Sequence, residues 1–195
     1  GPRIKIRSIG GWKLPANTCD RLAAGENPVD LGEVAGALMG GDLPLPAIGA
    51  PQIAVWAQQD PENYPLQRID IVKGYVDASG KPRVKVFENV ARTTAAVKRP
   101  SLSDCRVEIS THPEQLCTIW KDPEFSPTQD AYYYARALEV PSCRWSAYMC
   151  NVEKKVDCSL LNPANGMFPA STGFSGYEGC CATTGEPGSF KGRNT

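Results

Sequence analysis

Apolar and polar residues alternate at a period of two along much of this chain, which is the pattern of half-buried β-strands. The clearest alternation runs through residues 66–76, around Ile69 and Ile71, and it resumes in residues 83–88. The sequence between them, Asp-Ala-Ser-Gly at 77–80, favours a tight turn. The pattern therefore predicts a β-hairpin.

Two further strands are predicted before the hairpin. Residues 3–9 alternate between polar and apolar, and we expect the pair Gly10-Gly11 to end that strand. Residues 52–58 are mostly apolar and lie between prolines, which is typical of a largely buried strand.

A tyrosine-rich strand is predicted at residues 131–139, and we expect Pro141 to prevent it from continuing. We interpret it as a central strand. Alternation sends Tyr133 to the face opposite Tyr132 and Tyr134, so packing is a better explanation of these tyrosines than a sugar-stacking platform.

Helical patterns are weak. Residues 27–39 have apolar positions at a spacing of three to four, which indicates a short helix. Residues 113–121 are expected to form one or two helical turns, with Thr111 as the cap and the apolar side chains turned inward.

Several strands, few helices and many turn residues predict a mainly β protein. We expect an antiparallel β-sandwich-like domain at residues 1–150, with one or two short helices and long disulfide-tethered loops. In residues 151–195, glycine and proline leave no strand or helix period, so we expect a Gly/Pro/Cys-rich loop or insertion. The chain begins at Gly1 without a methionine or the basic and apolar regions of an export signal, so we expect that any such signal has been removed or belongs to a missing segment, and that the chain is a piece of a longer protein.

Composition excludes several classes of function. The 21 Lys and Arg residues balance 21 Asp and Glu residues, and no long basic cluster is present, so nucleic acid is not an expected partner. No apolar run approaches the roughly 20 residues that span a membrane. The single histidine, His112, does not suffice for a His-built metal site, so we assign no metal ligand and no cofactor to this chain.

The eight cysteines have no metal-ligand spacing, which favours disulfides and an oxidising compartment, periplasmic or secreted. The sequence does not determine their pairing. Closeness in the sequence suggests Cys105 with Cys117 and Cys150 with Cys158 as candidates. A bond between Cys19 and Cys143 would tie the first loop to the end of the tyrosine-rich strand, which leaves Cys180 and Cys181 to pair with each other or with residues elsewhere.

Two short motifs are candidates for ligand contact. The Gly40-Gly41-Asp42 segment predicts a tight turn, whose exposed N–H groups suit an anion, although a purely structural turn explains it as well. The Arg144-Trp145-Ser146 segment places an arginine beside a tryptophan, which suits recognition of a carboxylate or phosphate. A tryptophan packed on the end of the sandwich and covered by the arginine is the structural alternative.

Six segments in order carry a resemblance to a known family. They are Gly1–Ile4 with Gly10–Trp12, Met39–Pro44, Pro65–Gly74, Trp120–Phe125, Tyr132–Glu139 and Pro141–Ser146. Over residues 1–146, these resemble the C-terminal portion of a large bacterial family known as a domain of unknown function. The N-terminal core of that family is similar to metal-dependent hydrolases of the PHP (polymerase and histidinol phosphatase) type, and the family includes carbamate hydrolases.

The resemblance implies that this chain is an accessory region, inactive alone, of an exported PHP-like metal-dependent hydrolase. Residues 1–12 would continue as a strand from a missing N-terminal catalytic domain, which holds the divalent metal and binds the small-molecule substrate. The family pattern extends further at its C-terminus, so residues 151–195 are expected to be an insertion cut short. Arg144, Trp145 and the turn at residues 40–42 would then face the catalytic cleft.

The alternative is a non-catalytic module of a secreted protein that binds carbohydrate or protein. Its contact surface would be formed by exposed aromatic residues such as Trp56 or Trp145.

Overall fold

The computed structural model describes residues 2–27, 36–43, 49–94, 100–101, 104–107 and 112–181 of the 195-residue chain. The chain divides into two compact units. The sheet unit comprises Gly1–Ala96 and Ser110–Val140, and the disulfide unit comprises Val97–Ile109 and Pro141–Thr195. The domain boundary expected at residue 150 stays a prediction.

Antiparallel strands form two sheets in the sheet unit. The strands are β1 (Lys5–Gly11), β2 (Gly36–Leu38), β3 (Gln52–Gln58), β4 (Leu66–Val76), β5 (Pro82–Arg92), β6 (Gln115–Lys121) and β7 (Ala131–Glu139). One sheet has the order β2-β1-β3-β6, and the other has the order β5-β4-β7. The predicted mainly β, sandwich-like fold is confirmed, including the hairpin of β4 and β5.

The main core lies between these two sheets. Alternate residues of β3, among them Val55, pack with Ile69 and Ile71 of β4. Trp120 of β6 also contacts Phe87 of β5, with ring centroids 4.8 Å apart. The alternation noted in the sequence therefore directs one face of each of these strands into a shared apolar layer.

The opposite face of the four-stranded sheet is covered by helix α1 (Thr18–Ala23). Leu22 of this helix is fully buried and packs with Trp56 of β3. A disulfide between Cys19 and Cys117 joins the helix to β6. Both faces of β3 are therefore buried, which explains why its sequence is almost continuously apolar.

The disulfide unit has short helical turns around a small core. The turns are α2 (Trp145–Tyr148), a π-helical turn at Met149–Glu153, and 3-10 turns at Cys158–Leu160, Ala170–Thr172 and Glu178–Cys180. Val156 and Phe168 are buried among the cysteines of two disulfides. Covalent links thus supply much of the order in a segment that has little apolar material.

The helix predicted for residues 113–121 is wrong, because Gln115–Lys121 forms strand β6 and pairs with β3 along its whole length. The β-branched and aromatic residues of this segment favour extended chain. Strand alternation sends Leu116 and Trp120 to the main core. The proposed cap, Thr111, lies outside the described residues.

Two boundaries near the N-terminus also differ from expectation. Gly10 and Gly11 do not end β1, because both pair with β2 and β3 and are held in the sheet. Of the helix predicted for residues 27–39, residues 28–35 lie outside the described part, and Gly36–Leu38 forms β2 instead.

The tyrosine-rich strand β7 has the predicted bounds but a different position. It pairs with β4 and lies at the edge of its sheet, so the prediction of a central strand is wrong. Tyr133 does point to the face opposite Tyr132 and Tyr134, as predicted, since Tyr133 pairs with Lys73 and packs on the core side. An edge strand keeps one row of backbone groups unpaired within its sheet, and this row borders the site described next.

Candidate functional site

A groove of about 640 Å³ opens in the sheet unit where β1 and β2 approach β7. One wall is formed by inward-facing residues of β1, among them Gly10, and by residues 37–43. The other wall is formed by residues 129–135, at the edge of the second sheet. The groove therefore lies at the open side of the sandwich, away from the side where β6 contacts β5.

Aromatic rings are concentrated in this groove. Trp12 follows β1, and its ring meets the ring of Phe125 edge-on, with centroids 5.6 Å apart. Tyr133 points inward from β7. Tyr132 and Tyr134 alternate to the outer face of the strand and therefore border the groove at its rim.

The outer face of β7 carries a second aromatic arrangement. The rings of Tyr132 and Tyr134 are stacked, with centroids 6.4 Å apart and planes 11° apart. The Arg136 guanidinium lies over the Tyr134 ring at 5.4 Å and donates a hydrogen bond to its hydroxyl. Tyr132 also lies across Gly74, where any added Cβ would be 2.2 Å from the ring.

A buried ion pair supports the groove behind Tyr133. Lys73 Nζ lies 2.6 Å from Asp122 Oδ2 and donates to the Glu124 carbonyl oxygen at 2.9 Å. The Tyr133 hydroxyl donates to the same Asp122 oxygen at 2.6 Å. Because the Lys73 and Asp122 side chains are 2% and 0% exposed, this network is closed to ligands and serves to position β7.

The network also sets the ionisation of its members. Burial raises the pKa of Asp122, but the hydrogen bonds from Lys73, Tyr133 and the Glu124 N–H outweigh burial and hold that pKa below its usual value. Burial, together with donation to the Asp122 carboxylate, raises the pKa of Tyr133. Tyr133 therefore keeps its proton at physiological pH and acts as a donor, not as a base.

The mouth of the groove is acidic. Asp42 follows β2 and Asp130 precedes β7, and both side chains are exposed. No hydrogen bond or ion pair joins either carboxylate to another residue of the described chain. Among the described residues that line the groove, none is Lys, Arg or His, so the described lining carries negative charges only.

The predicted turn at Gly40-Gly41-Asp42 lies in the groove wall. The Gly41 N–H donates to the Leu38 carbonyl oxygen at 2.9 Å, which closes a tight turn after β2. Gly40 has a φ of 88°, a conformation that favours glycine. The turn places the Asp42 carboxylate at the groove, and this negative charge opposes the anion binding considered from the sequence.

The second predicted motif lies in the disulfide unit. Arg144 is exposed and immediately precedes α2, and Ser146 lies within α2. Trp145 is 73% exposed and stacks on Tyr148, with ring centroids 5.7 Å apart. The tryptophan is thus not packed into a core, and the cleft-facing role of these three residues stays a prediction.

Sequence reasoning missed most of the groove. Sequence reasoning did not identify Trp12, Phe125 and Asp130 as site residues. Each lies outside the strands, and only the fold brings the three of them to one groove. One signal was available for the support beneath them: Lys73 continues the inward row of Ile69 and Ile71. A lysine at such a position requires a buried acidic partner.

All eight cysteines form disulfides, but their partners differ from the candidate pairs suggested by the sequence. The pairs are Cys19–Cys117, Cys105–Cys143, Cys150–Cys180 and Cys158–Cys181. The strand nature of β6 explains the first pair, because it places Cys117 on the sheet face that α1 covers. Adjacent Cys180 and Cys181 each bond to a different turn. Four disulfides indicate an oxidising compartment.

The described residues contain neither a cluster of metal ligands nor a helix that could span a membrane. Within them, no group of three or more His, Cys, Asp or Glu side chains is arranged to hold a metal ion. None of the helices in that part of the chain combines the length and apolar character needed to cross a bilayer.

The comparisons with known proteins gave one match. A family model described as "Protein of unknown function (DUF3604)" matches residues 1–160. The search of curated proteins and the search of solved structures found no match. The matched range includes every described residue that lines the groove.

Proposed function

This chain belongs to the family of proteins of unknown function DUF3604, and from that premise we propose that it is the C-terminal accessory region of an exported PHP-like metal-dependent hydrolase. The catalytic core and its divalent metal lie in a preceding domain of the parent protein, which cleaves an ester, phosphoester or carbamate. This chain is not catalytic by itself. It stabilises the catalytic domain and forms one wall of the substrate cleft through its aromatic groove.

The observation that carries this proposal is that the walls of the groove come from the segments that resemble the hydrolase-containing family. Four of the six segments that resemble the hydrolase-containing family contribute to the groove: Gly10–Trp12, Met39–Pro44, Trp120–Phe125 and Tyr132–Glu139. They come from distant parts of the sequence, and the two sheets bring them together. A shared surface of this kind supports a role in ligand contact beyond that of a scaffold.

The disulfides support the exported location. A chain with four disulfides and 8 cysteines in 195 residues is stable in the periplasm or outside the cell, where thiols are not kept reduced. In this proposal Arg144 and Trp145 add a second, exposed contact to the cleft.

The test compares the 195-residue chain with a longer version extended at its N-terminus through the preceding coding sequence. Both are assayed for bound metal and for hydrolysis of ester, phosphoester and carbamate substrates. We expect metal and activity in the longer version alone. In that version, Asp42→Lys at the groove raises KM by about tenfold, whereas the matched change Asp20→Lys at an exposed position of α1 leaves KM unchanged.

Either of two results contradicts the proposal. Hydrolysis by the 195-residue chain alone would place a catalytic site within it. Equal KM values for the Asp42 and Asp20 variants of the longer version would remove the groove from the cleft.

A second candidate function is a carbohydrate- or protein-binding module. Trp145 favours it, because a tryptophan that is 73% exposed and stacked on Tyr148 is available for contact. Trp56 gives it no support, since that side chain is 4% exposed. Sedimentation of the chain with insoluble polysaccharides tests the carbohydrate form, with loss of binding in Trp145→Ala as the expected result.

A further inference from the structure

We propose that the groove of the sheet unit binds a small organic ammonium ion, a ligand with a positively charged nitrogen on an apolar body. The proposal deepens the function given above, because it assigns a ligand class to the same groove. Its relevance to the parent enzyme rests on that proposed function.

The first argument is the aromatic floor of the groove. The inward side chains Trp12, Phe125 and Tyr133 converge there, and the Trp12 and Phe125 rings are in edge-to-face contact. The π faces of aromatic rings attract cations, and an alkylated ammonium group loses little hydration when it is placed against them. Tyr133 is held in place by its hydrogen bond to the buried Asp122, so this part of the floor is formed before a ligand arrives.

The second argument is the sign of the charge. Asp42 and Asp130 lie on opposite walls, one after β2 and one before β7, and the part of the lining that the structure describes contains no basic side chain. Both carboxylates lack a hydrogen-bond or ion-pair partner among the described residues. The resulting potential attracts a cation and repels carboxylate and phosphate ligands.

The third argument is the apolar remainder of the lining. Leu38 and Met39 are 39% and 71% exposed, and Leu43 and Pro51 also border the groove. Exposed aliphatic and thioether groups suit the alkyl body of an ammonium ion. A sugar has hydroxyl groups that need hydrogen-bond partners, which this set of side chains provides less well.

The nearby cations do not compensate the acidic mouth. Lys73 is bound to Asp122 and to the Glu124 carbonyl oxygen. Lys85 forms its ion pair with the Glu124 side chain. Arg136 lies over the outward-facing Tyr134 ring. Each of these three positive groups therefore has a partner of its own, and none of the three lines the groove.

The test is a titration of the oxidised 195-residue protein with choline and, in parallel, with its neutral isostere 3,3-dimethylbutan-1-ol. Two-dimensional amide and indole NMR reports the site of binding. We expect choline to shift the Trp12 indole signal and the amide signals of residues 129–135, and to bind at least about tenfold more tightly than the isostere. Raising the salt concentration weakens choline binding and leaves the isostere unaffected.

Matched variants locate the charge effect. Asp42→Asn and Asp130→Asn are each expected to weaken choline binding by about three- to tenfold. Both residues are exposed, so neither change is expected to disturb the fold. Asp20→Asn on α1 removes the same charge away from the groove and is expected to leave binding unchanged.

Three results would overturn the inference: no choline-induced shift of the Trp12 signal, equal binding of the neutral isostere, or an equal loss in the Asp20 variant. A neutral disaccharide such as cellobiose that bound more tightly than choline would also overturn it. These outcomes leave the accessory role intact if Asp42→Lys still raises KM in the longer version. Conversely, choline binding without that KM effect supports the site and contradicts the cleft role.

Discussion

The sheet unit and the disulfide unit are ordered by different physical means. In the sheet unit, two sheets bury an apolar layer that includes Val55, Ile69 and Ile71, and one disulfide joins α1 to β6. The disulfide unit contains three disulfides, two of which pack in a much smaller core around Val156 and Phe168. The first unit depends on burial of apolar area, and the second depends on cross-links that restrict its unfolded chain.

The difference bears on function. The groove is built in the unit whose strands hold each other in register, which is where a binding site can be kept in shape without a ligand. The stacked pair Trp145 and Tyr148 is built on a four-residue helix in the unit that relies on covalent links. Changes that remove either buried contacts or cross-links alone therefore test how each unit is stabilised and which unit can hold the binding site in shape.

Reduction of the disulfides is expected to have the largest effect. Cys150–Cys180 and Cys158–Cys181 have sequence separations of 30 and 23 residues. Loop entropy assigns each of them about 3.5 kcal/mol, which is large for a core of that size. In a reducing agent, amides of the disulfide unit should lose protection from hydrogen exchange while those of β3 and β4 stay protected.

Paired serine substitutions sharpen this prediction. Replacing Cys150 and Cys180 by serine should unfold the disulfide unit, whereas replacing Cys19 and Cys117 should lower the melting temperature of the sheet unit without abolishing its cooperative transition. The separation of 98 residues gives the second pair about 4.7 kcal/mol in the same treatment. Loss of all strand protection in the Cys19/Cys117 variant would contradict the view that burial dominates there.

The buried ion pair should have the next largest effect. Lys73→Met leaves Asp122 charged and buried without its partner, so we expect the free energy of unfolding of the sheet unit to fall by about 3–5 kcal/mol. Urea unfolding followed by tryptophan fluorescence measures this change.

The matched control is Lys85→Met. Lys85 pairs with Glu124 at a position where both side chains are substantially exposed, 42% and 52%. Its removal should cost less than about 1 kcal/mol. If the two variants lose the same stability, the Lys73 network does not have the structural role assigned to it.

The contrast between the units also explains what the sequence could reveal. The bounds of β3, β4 and β7 were readable because local alternation and turn residues determine them. The identity of β6 was not, since a short apolar segment such as Leu116–Trp120 fits a helix or a strand until its partner β3 is known. The disulfide partners in both units depend on such long-range placement, which local sequence does not encode.

The candidate site was predictable in part for the same reason. Asp42 was found because the glycine pair before it marks a turn by itself. Trp12 and Asp130 have no distinctive local pattern, and they become site residues only when the two sheets bring β1 and β7 together. A surface assembled from distant segments leaves little local signal.

A smaller effect is expected where Tyr132 crosses Gly74. In Gly74→Ala, the new Cβ would lie 2.2 Å from the ring as it stands, so the ring must move. We expect a loss of about 1–2 kcal/mol in the sheet unit. In a Tyr132→Ala background the same change should be neutral or stabilising, because alanine is a better strand residue than glycine. A double-mutant cycle measured by urea unfolding gives the coupling, and additive effects would refute the contact.

The smallest effect concerns a group whose burial opposes stability. Burial and the nearby Asp60 raise the pKa of Glu139, and one of its carboxylate oxygens has no hydrogen-bond partner among the described residues. Its folded form binds a proton at higher pH than its unfolded form, so ionisation of Glu139 weakens the fold as the pH rises. Glu139→Gln should therefore stabilise the sheet unit at pH 7 by up to about 1 kcal/mol, with the gain disappearing below the ordinary carboxyl pKa.

Ionisation of Asp122 has the opposite effect on stability: its lowered pKa gives stability that is present at neutral pH and is lost as the pH falls through that pKa. Urea midpoints measured from pH 7 to pH 3 should show Glu139→Gln and Asp122→Asn approaching the wild-type protein from opposite sides. A Glu139→Gln variant less stable than the wild type at pH 7 would show that the carboxylate has a stabilising partner.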